Sequence, residues 1–138
     1  MLQMLSYFSS AKHKMSDAEL TDIVNKASIN NKKLGVTGLL CYSDGNFLQF
    51  LEGEEDVLHA LYQKITTDKR HKDFWMIMDP IQNRTFDKWY MSLRNVDSFE
   101  GIQKDLLVDL LKINSTQAFE NQTDTIKDTL EIFMKSFR

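Results

Sequence analysis

Gly45-Asn-Phe-Leu-Gln49-Phe-Leu-Glu-Gly53 is the stretch that decides the reading of this chain. It alternates as a strand does, with Phe47, Gln49 and Leu51 on one parity and Leu48, Phe50 and Glu52 on the other. If Phe47 and Leu51 face the core, Gln49 is buried with them. A buried amide without partners costs about 1–3 kcal/mol. The position therefore demands a protein group or a polar ligand beside it. The other parity is also largely apolar, so the opposite face of the sheet needs a cover too.

Working outward, Val36–Tyr42 reads as a preceding strand. Ser43-Asp-Gly-Asn46 is the tight turn joining the two strands into a hairpin. After Gly53, the acidic run Glu54-Glu-Asp56 sits where a helix macrodipole favours negative charge. Val57, Leu58, Leu61, Tyr62 and Ile65 give that helix its apolar face, and it is expected to stop around Asp68. Residues 2–9 form a first strand. Ser16 and Glu19 make a capping box, and Met15 with Leu20 a hydrophobic staple, so a helix starts there. Leu20, Ile23, Val24 and Ala27 line it, and it is expected to end near Asn30-Asn31. Phe74–Met78 is a fourth strand closed by Pro80. Phe86–Leu93 is expected to hold a fifth, with Trp89, Met91 and Leu93 on one parity.

The order β-α-β-β-α-β-β implies an α+β, ferredoxin-like sheet with two helices on one face. Leu39, Cys41, Leu48 and Phe50 then lie on the other face. Two amphipathic stripes can cover them: Leu106, Leu107, Leu110 and Leu111, and then Ile126, Leu130, Phe133, Met134 and Phe137. The expected organisation is a domain over 1–96 and a helical extension over 97–138 packed on the sheet, with Asn114-Ser-Thr-Gln117 as the hinge.

The 138 residues are enough for one sizeable core. A net charge of -3 gives no basic footprint for nucleic acid. A single cysteine, Cys41, excludes an internal disulfide and a multi-cysteine metal site. His13, His59 and His71 are scattered, so no metal is expected. No apolar run approaches the ~20 residues of a membrane span. The first residues lack the charged start of a signal peptide, and a cytoplasmic location is expected.

Several polar residues gather toward the space between the two helices: Tyr7 on the first strand, Asn30 and Asn31 ending the first helix, and Gln49. Lys64 and the cluster Asp68-Lys-Arg70-His71 follow near the end of the second helix. Together with Tyr7-Phe-Ser9, Gly35-Val-Thr-Gly38-Leu-Leu after Asn31, and Phe86-Asp-Lys-Trp89-Tyr-Met91, they form an ordered set. The spacing from tyrosine to asparagine to glutamine is 24, then 18. The set resembles the BLUF domain, the flavin-binding blue-light sensor module, from Tyr7 to about Val96. Each motif alone has a plainer reading: a satisfied strand tyrosine, a helix C-terminal asparagine pair, a solvated charge cluster, core Trp and Met. Their joint occurrence at family spacing outweighs these.

The resemblance implies a non-covalent flavin, FAD by family expectation with FMN or riboflavin left open, lying between the helices. Ile23, Phe47 and Ile65 would sandwich the ring. Asn30, Asn31 and Lys64 would bond its pyrimidine edge, Arg70 and His71 would lie toward the phosphate end, and Asp68 would belong to the same binding set. Tyr7 would give an electron and proton to the excited flavin, and the return would rearrange the hydrogen bonds of Gln49. Either Met91 or Trp89 would sense that change and pass it to the C-terminal helices and a downstream signalling protein. Ala27 departs from the family members that carry serine there, and neighbouring Ser28 need not replace it. Asn30 stands where several members have histidine. Nothing like a cyclase or a phosphodiesterase follows Val96, so a switch rather than an enzyme is expected, with homo-oligomerisation left open. A small flavin oxidoreductase and a flavin-free interaction module remain the rival readings.

Overall fold

The computed structural model describes residues 1–43, 45–69, 71–87 and 89–95, with 101, 105, 128, 129 and 132. Arg70 and the expected docking of residues 97–138 on the sheet lie outside these described residues. Among the described residues, no helix is long and apolar enough to cross a membrane, and no cluster of His, Cys, Asp and Glu can hold a metal ion.

The elements are β1 Leu2–Ala11, α1 Asp17–Leu34, β2 Thr37–Ser43, β3 Asn46–Glu54, α2 Glu55–Thr66, β4 His71–Pro80 and β5 Ser92–Asn95. The sheet order is β4-β1-β3-β2-β5. β3 pairs antiparallel with β1 and β2, β4 antiparallel with β1, and β5 parallel with β2. β1 and β2 are thus parallel with β3 between them, and β3 and β4 are parallel with β1 between them. Two β-α-β units interlock, as the ferredoxin-like arrangement requires.

The local signals place the elements. The Ser16 hydroxyl accepts from the Glu19 amide, and the Glu19 carboxylate accepts from the Ser16 amide. Met15 and Leu20, the staple pair, are both buried. α1 runs to Leu34, past the expected end at Asn30-Asn31. Its cap is Gly35, at φ 69, where glycine alone avoids the left-handed penalty. Asn31 is instead a buried helical residue.

One expected strand is corrected. The chain pairs only from Ser92, not from Phe86. Before it, several backbone groups find other partners: Thr85 and Phe86 donate to the Glu52 carboxylate, and the Trp89 carbonyl accepts from the Gly38 amide. Each of these bonds takes a group that a ladder would have used, so Phe86, Trp89 and Met91 sit on a strap rather than a strand.

Both faces of the sheet are apolar. On the helix side, Leu5, Tyr7, Leu40, Phe47 and Leu51 pack with Leu20, Leu58 and Leu61 of the helices. On the other side Leu39, Cys41, Leu48 and Phe50 are fully buried. There the Phe86 ring rests on Phe50 with centroids 5.9 Å apart.

Candidate functional site

Gln49 sits at the centre of the sheet, opposite Tyr7 on β1 and Leu40 on β2. The strand period sends its side chain to the helix face with Phe47 and Leu51. The expected burial is observed: Gln49 is 6 % exposed and Tyr7 2 %. The Tyr7 hydroxyl donates to Gln49 Oε1. Gln49 Nε2 donates to the Met91 sulfur at 3.4 Å. Thioether sulfur is a weak acceptor, so this second bond is the softer of the two.

Burial pushes the Tyr7 phenol above its ordinary pKa, with the neighbouring Tyr62 and Asp68 adding to the effect. Tyr7 therefore holds its proton throughout the physiological range. The Tyr7 ring lies 5.8 Å from that of Tyr62, tilted by 57°.

A cleft of about 280 Å³ opens between α1, α2 and this part of the sheet. Ile23 and Ala27 form one wall, Leu61 and Ile65 the facing one, and Leu51, Tyr7 and Gln49 the floor. Asn30, Asn31, Lys26, Lys64 and Asp68 complete the lining. The two walls are apolar and most of the remaining lining is polar, as in sites for flat, mostly apolar ligands with polar edges.

The structure thus brings together eight of the residues singled out in the sequence: Tyr7, Ile23, Asn30, Asn31, Gln49, Lys64, Ile65 and Asp68. Met91 joins them through Gln49. Phe47 is not part of the lining; it is fully buried, its ring 4.9 Å from Tyr42, with Leu51 and Leu61 in its stead at the cleft. Trp89 points elsewhere. It stacks on Phe86 at 5.8 Å and 15°, and the Arg94 guanidinium lies 5.4 Å over its ring. His71 opens β4, but its side chain is outside the described residues.

Lys26, Leu51 and Leu61 were not among the site residues expected from the sequence. Leu51 shares the parity of Gln49, and Lys26 lies one helical turn before Asn30, so both signals were available. Ser28 does not stand in for the absent serine at 27. Its hydroxyl donates to the Met91 carbonyl at 3.3 Å. Asn31 Nδ2 likewise donates to the Tyr90 carbonyl at 2.8 Å, tying α1 to the strap.

A family model described as "BLUF: Sensors of blue-light using FAD" matches residues 2–92. The photoactivated adenylate cyclase subunit beta of Euglena longa is 42 % identical over 86 residues, covering 62 % of this chain and 10 % of that protein. The chain thus spans about a tenth of that curated relative's length. Among solved structures, the photo-activated state of BlsA aligns with a TM-score of 0.77 at 26 % identity, covering 99 % of this chain and 94 % of that one. The dark-state structure of the BLUF protein BlrB aligns with a TM-score of 0.70 at 25 % identity, covering 94 % of both chains.

Proposed function

The chain belongs to the BLUF family, the sensors of blue light using FAD, and from that premise we propose a photoreceptor whose switch is Tyr7 and Gln49. The observation that carries the proposal is the buried relay from the Tyr7 hydroxyl through the Gln49 amide, both on the floor of the cleft, to the Met91 sulfur. A bound flavin supplies blue-light absorption and an excited state able to accept an electron. Ile23, Ile65, Leu51 and Leu61 would enclose its ring, and Asn30, Asn31 and Lys64 would meet its polar edge. FAD is the form proposed, with Arg70 and His71 expected toward the phosphates and Asp68 at the cleft.

The protein's own part is proton handling and orientation. Tyr7 keeps its proton in the dark because the core excludes water. Losing an electron makes a phenol strongly acidic, and Gln49 Oε1 is aligned to receive that proton. The proton returns when the electron does. Gln49 is then the group left free to settle in a new orientation, because an amide presents a donor on one side and an acceptor on the other. Turning it would replace the Nε2 donor at Met91 by an oxygen, which the sulfur cannot bond. Met91 is the reporter this favours over Trp89. Nothing is consumed, so the chain acts as a switch rather than a turnover enzyme. The output would run from Met91 through β5 into residues 97–138 and on to a downstream signalling protein.

The direct test is an absorption spectrum before and after blue light. The purified protein is expected to be yellow, to release flavin on denaturation, and to shift reversibly to the red on illumination. A protein that stays colourless when flavin is added would end the proposal.

Asn31→Ala is expected to weaken flavin retention and also to loosen the strap, because its amide holds the Tyr90 carbonyl. A lost buried hydrogen bond of this kind costs about 1–3 kcal/mol. The check is flavin occupancy after dialysis beside thermal unfolding of the flavin-free form. Occupancy equal to the parent's would reduce Asn31 to a helix–strap tie.

A further inference from the structure

Glu52 lies on β3, three residues beyond Gln49, on the sheet face away from the helices, and is fully buried. Its two carboxylate oxygens accept from consecutive backbone amides, Thr85 and Phe86, each at 2.7 Å. Thr37 Oγ1 adds a third bond at 3.3 Å. Arg84 closes the cluster, donating to Thr37 Oγ1 at 3.0 Å, to the Glu52 carbonyl at 2.9 Å and to the Gly35 carbonyl at 2.7 Å. The switch described above uses none of these groups.

They hold the start of the strap whose end carries Met91. At residue 86 the strap lies on one face of the sheet, with the Phe86 ring on Phe50; at Met91 it has reached the other, beside Gln49. The far end is tied as well: Gly38 N–H donates to the Trp89 carbonyl, Asn31 to that of Tyr90 and Ser28 to that of Met91. Between the two anchors the Trp89 amide folds back onto the Phe86 carbonyl.

We infer that Glu52, seconded by Arg84, is a positioning residue of the light switch: it sets the 84–91 strap so that Met91 meets Gln49. The inference rests on the photoreceptor reading. Two short bonds to adjacent amides fix the direction of the strap, which the Phe86–Phe50 ring contact alone does not do. Arg84 extends the cluster to Gly35, the cap of α1, four residues from Asn31. A change at the Gln49–Met91 contact then meets a strap held at its start, and passes on toward β5 instead of being absorbed locally.

The test compares the flavin-bound full chain with Glu52→Gln and Arg84→Met. Glutamine keeps the shape but turns an NH₂ toward one of the two amide donors. Two readouts are taken: the rate of dark recovery after a blue flash, and the Met91 methyl resonance in protein carrying ¹³C-methyl methionine, assigned with Met91→Leu. Both variants are expected to keep flavin and the red shift. Recovery should change by about threefold or more, the scale of coupling changes along such networks. The Met91 methyl should move in the dark state while that of Met15, packed elsewhere in the core, stays in place. An unmoved Met91 methyl, or a recovery within that factor, in folded variants overturns the inference. If Glu52→Gln fails to fold, Arg84→Met decides by the same criteria. A parent without any red shift fails the photoreceptor reading instead, and the Met91 methyl then decides the role of Glu52 alone.

Discussion

Tyr7→Phe is expected to abolish the reversible red shift while the protein still folds and still binds flavin. The ring is kept, so its packing beside Tyr62 and within the helix-face core survives. What goes is the hydroxyl that donates to Gln49 Oε1. Phenylalanine has no acidic proton to release and is far harder to oxidise, so both halves of the proposed transfer fail together. Gln49 also loses a buried donor, which should lower stability by about 1–3 kcal/mol. The measurement is the light-minus-dark difference spectrum, with urea unfolding run alongside. A variant that photocycles as the parent does would remove Tyr7 from the mechanism. Stability unchanged from the parent would show that another group can satisfy Gln49 Oε1.

The burial of Gln49 was legible because the signal is local. A polar residue in an apolar row has its face dictated by the period of the strand. The same is true of the Ser16 cap and of the Gly45 hairpin, whose strands pair Ser43 with Asn46. The misread regions depend on partners far along the chain. Asn30-Asn31 resembled a helix end, yet the helix continues because Asn31 finds the Tyr90 carbonyl 59 residues away and Gly35 supplies the actual cap. Phe86–Leu93 resembled a strand because its apolar residues alternate. Its first amide, with that of Thr85 just before it, goes instead to Glu52, a buried side chain more than thirty residues earlier whose role no local pattern announces. The choice between Met91 and Trp89 at Gln49 follows from the same strap, since the stacking of Trp89 between Phe86 and Arg94 leaves the sulfur to face the amide.

Gly38→Ala is expected to be the most destabilising of the single-methyl changes, at about 3 kcal/mol or more, the upper range for overpacking. A Cβ at this position would collide with the Phe50 carbonyl oxygen. That oxygen belongs to the β3 backbone, held on both sides by β1 and β2, and cannot swing aside as the tip of a side chain would. Relief requires β2 to move off β3. Such a movement drives β2 toward its other neighbour, where the Gly38 amide meets the Trp89 carbonyl, so that tie of the strap is displaced as well. Gly45→Ala is the natural comparison. It has open space around it but sits at φ 86, where a side chain costs about 1–2 kcal/mol from backbone strain alone. Urea midpoints for the two variants separate steric collision from strain. The larger loss at Gly38 should come with a faster loss of bound flavin, because β2 carries Leu40, the direct neighbour of Gln49. If Gly38→Ala unfolds within 1 kcal/mol of the parent, roughly the cost of a tolerated repacking, the close approach of β2 to β3 is not what holds the centre of the sheet.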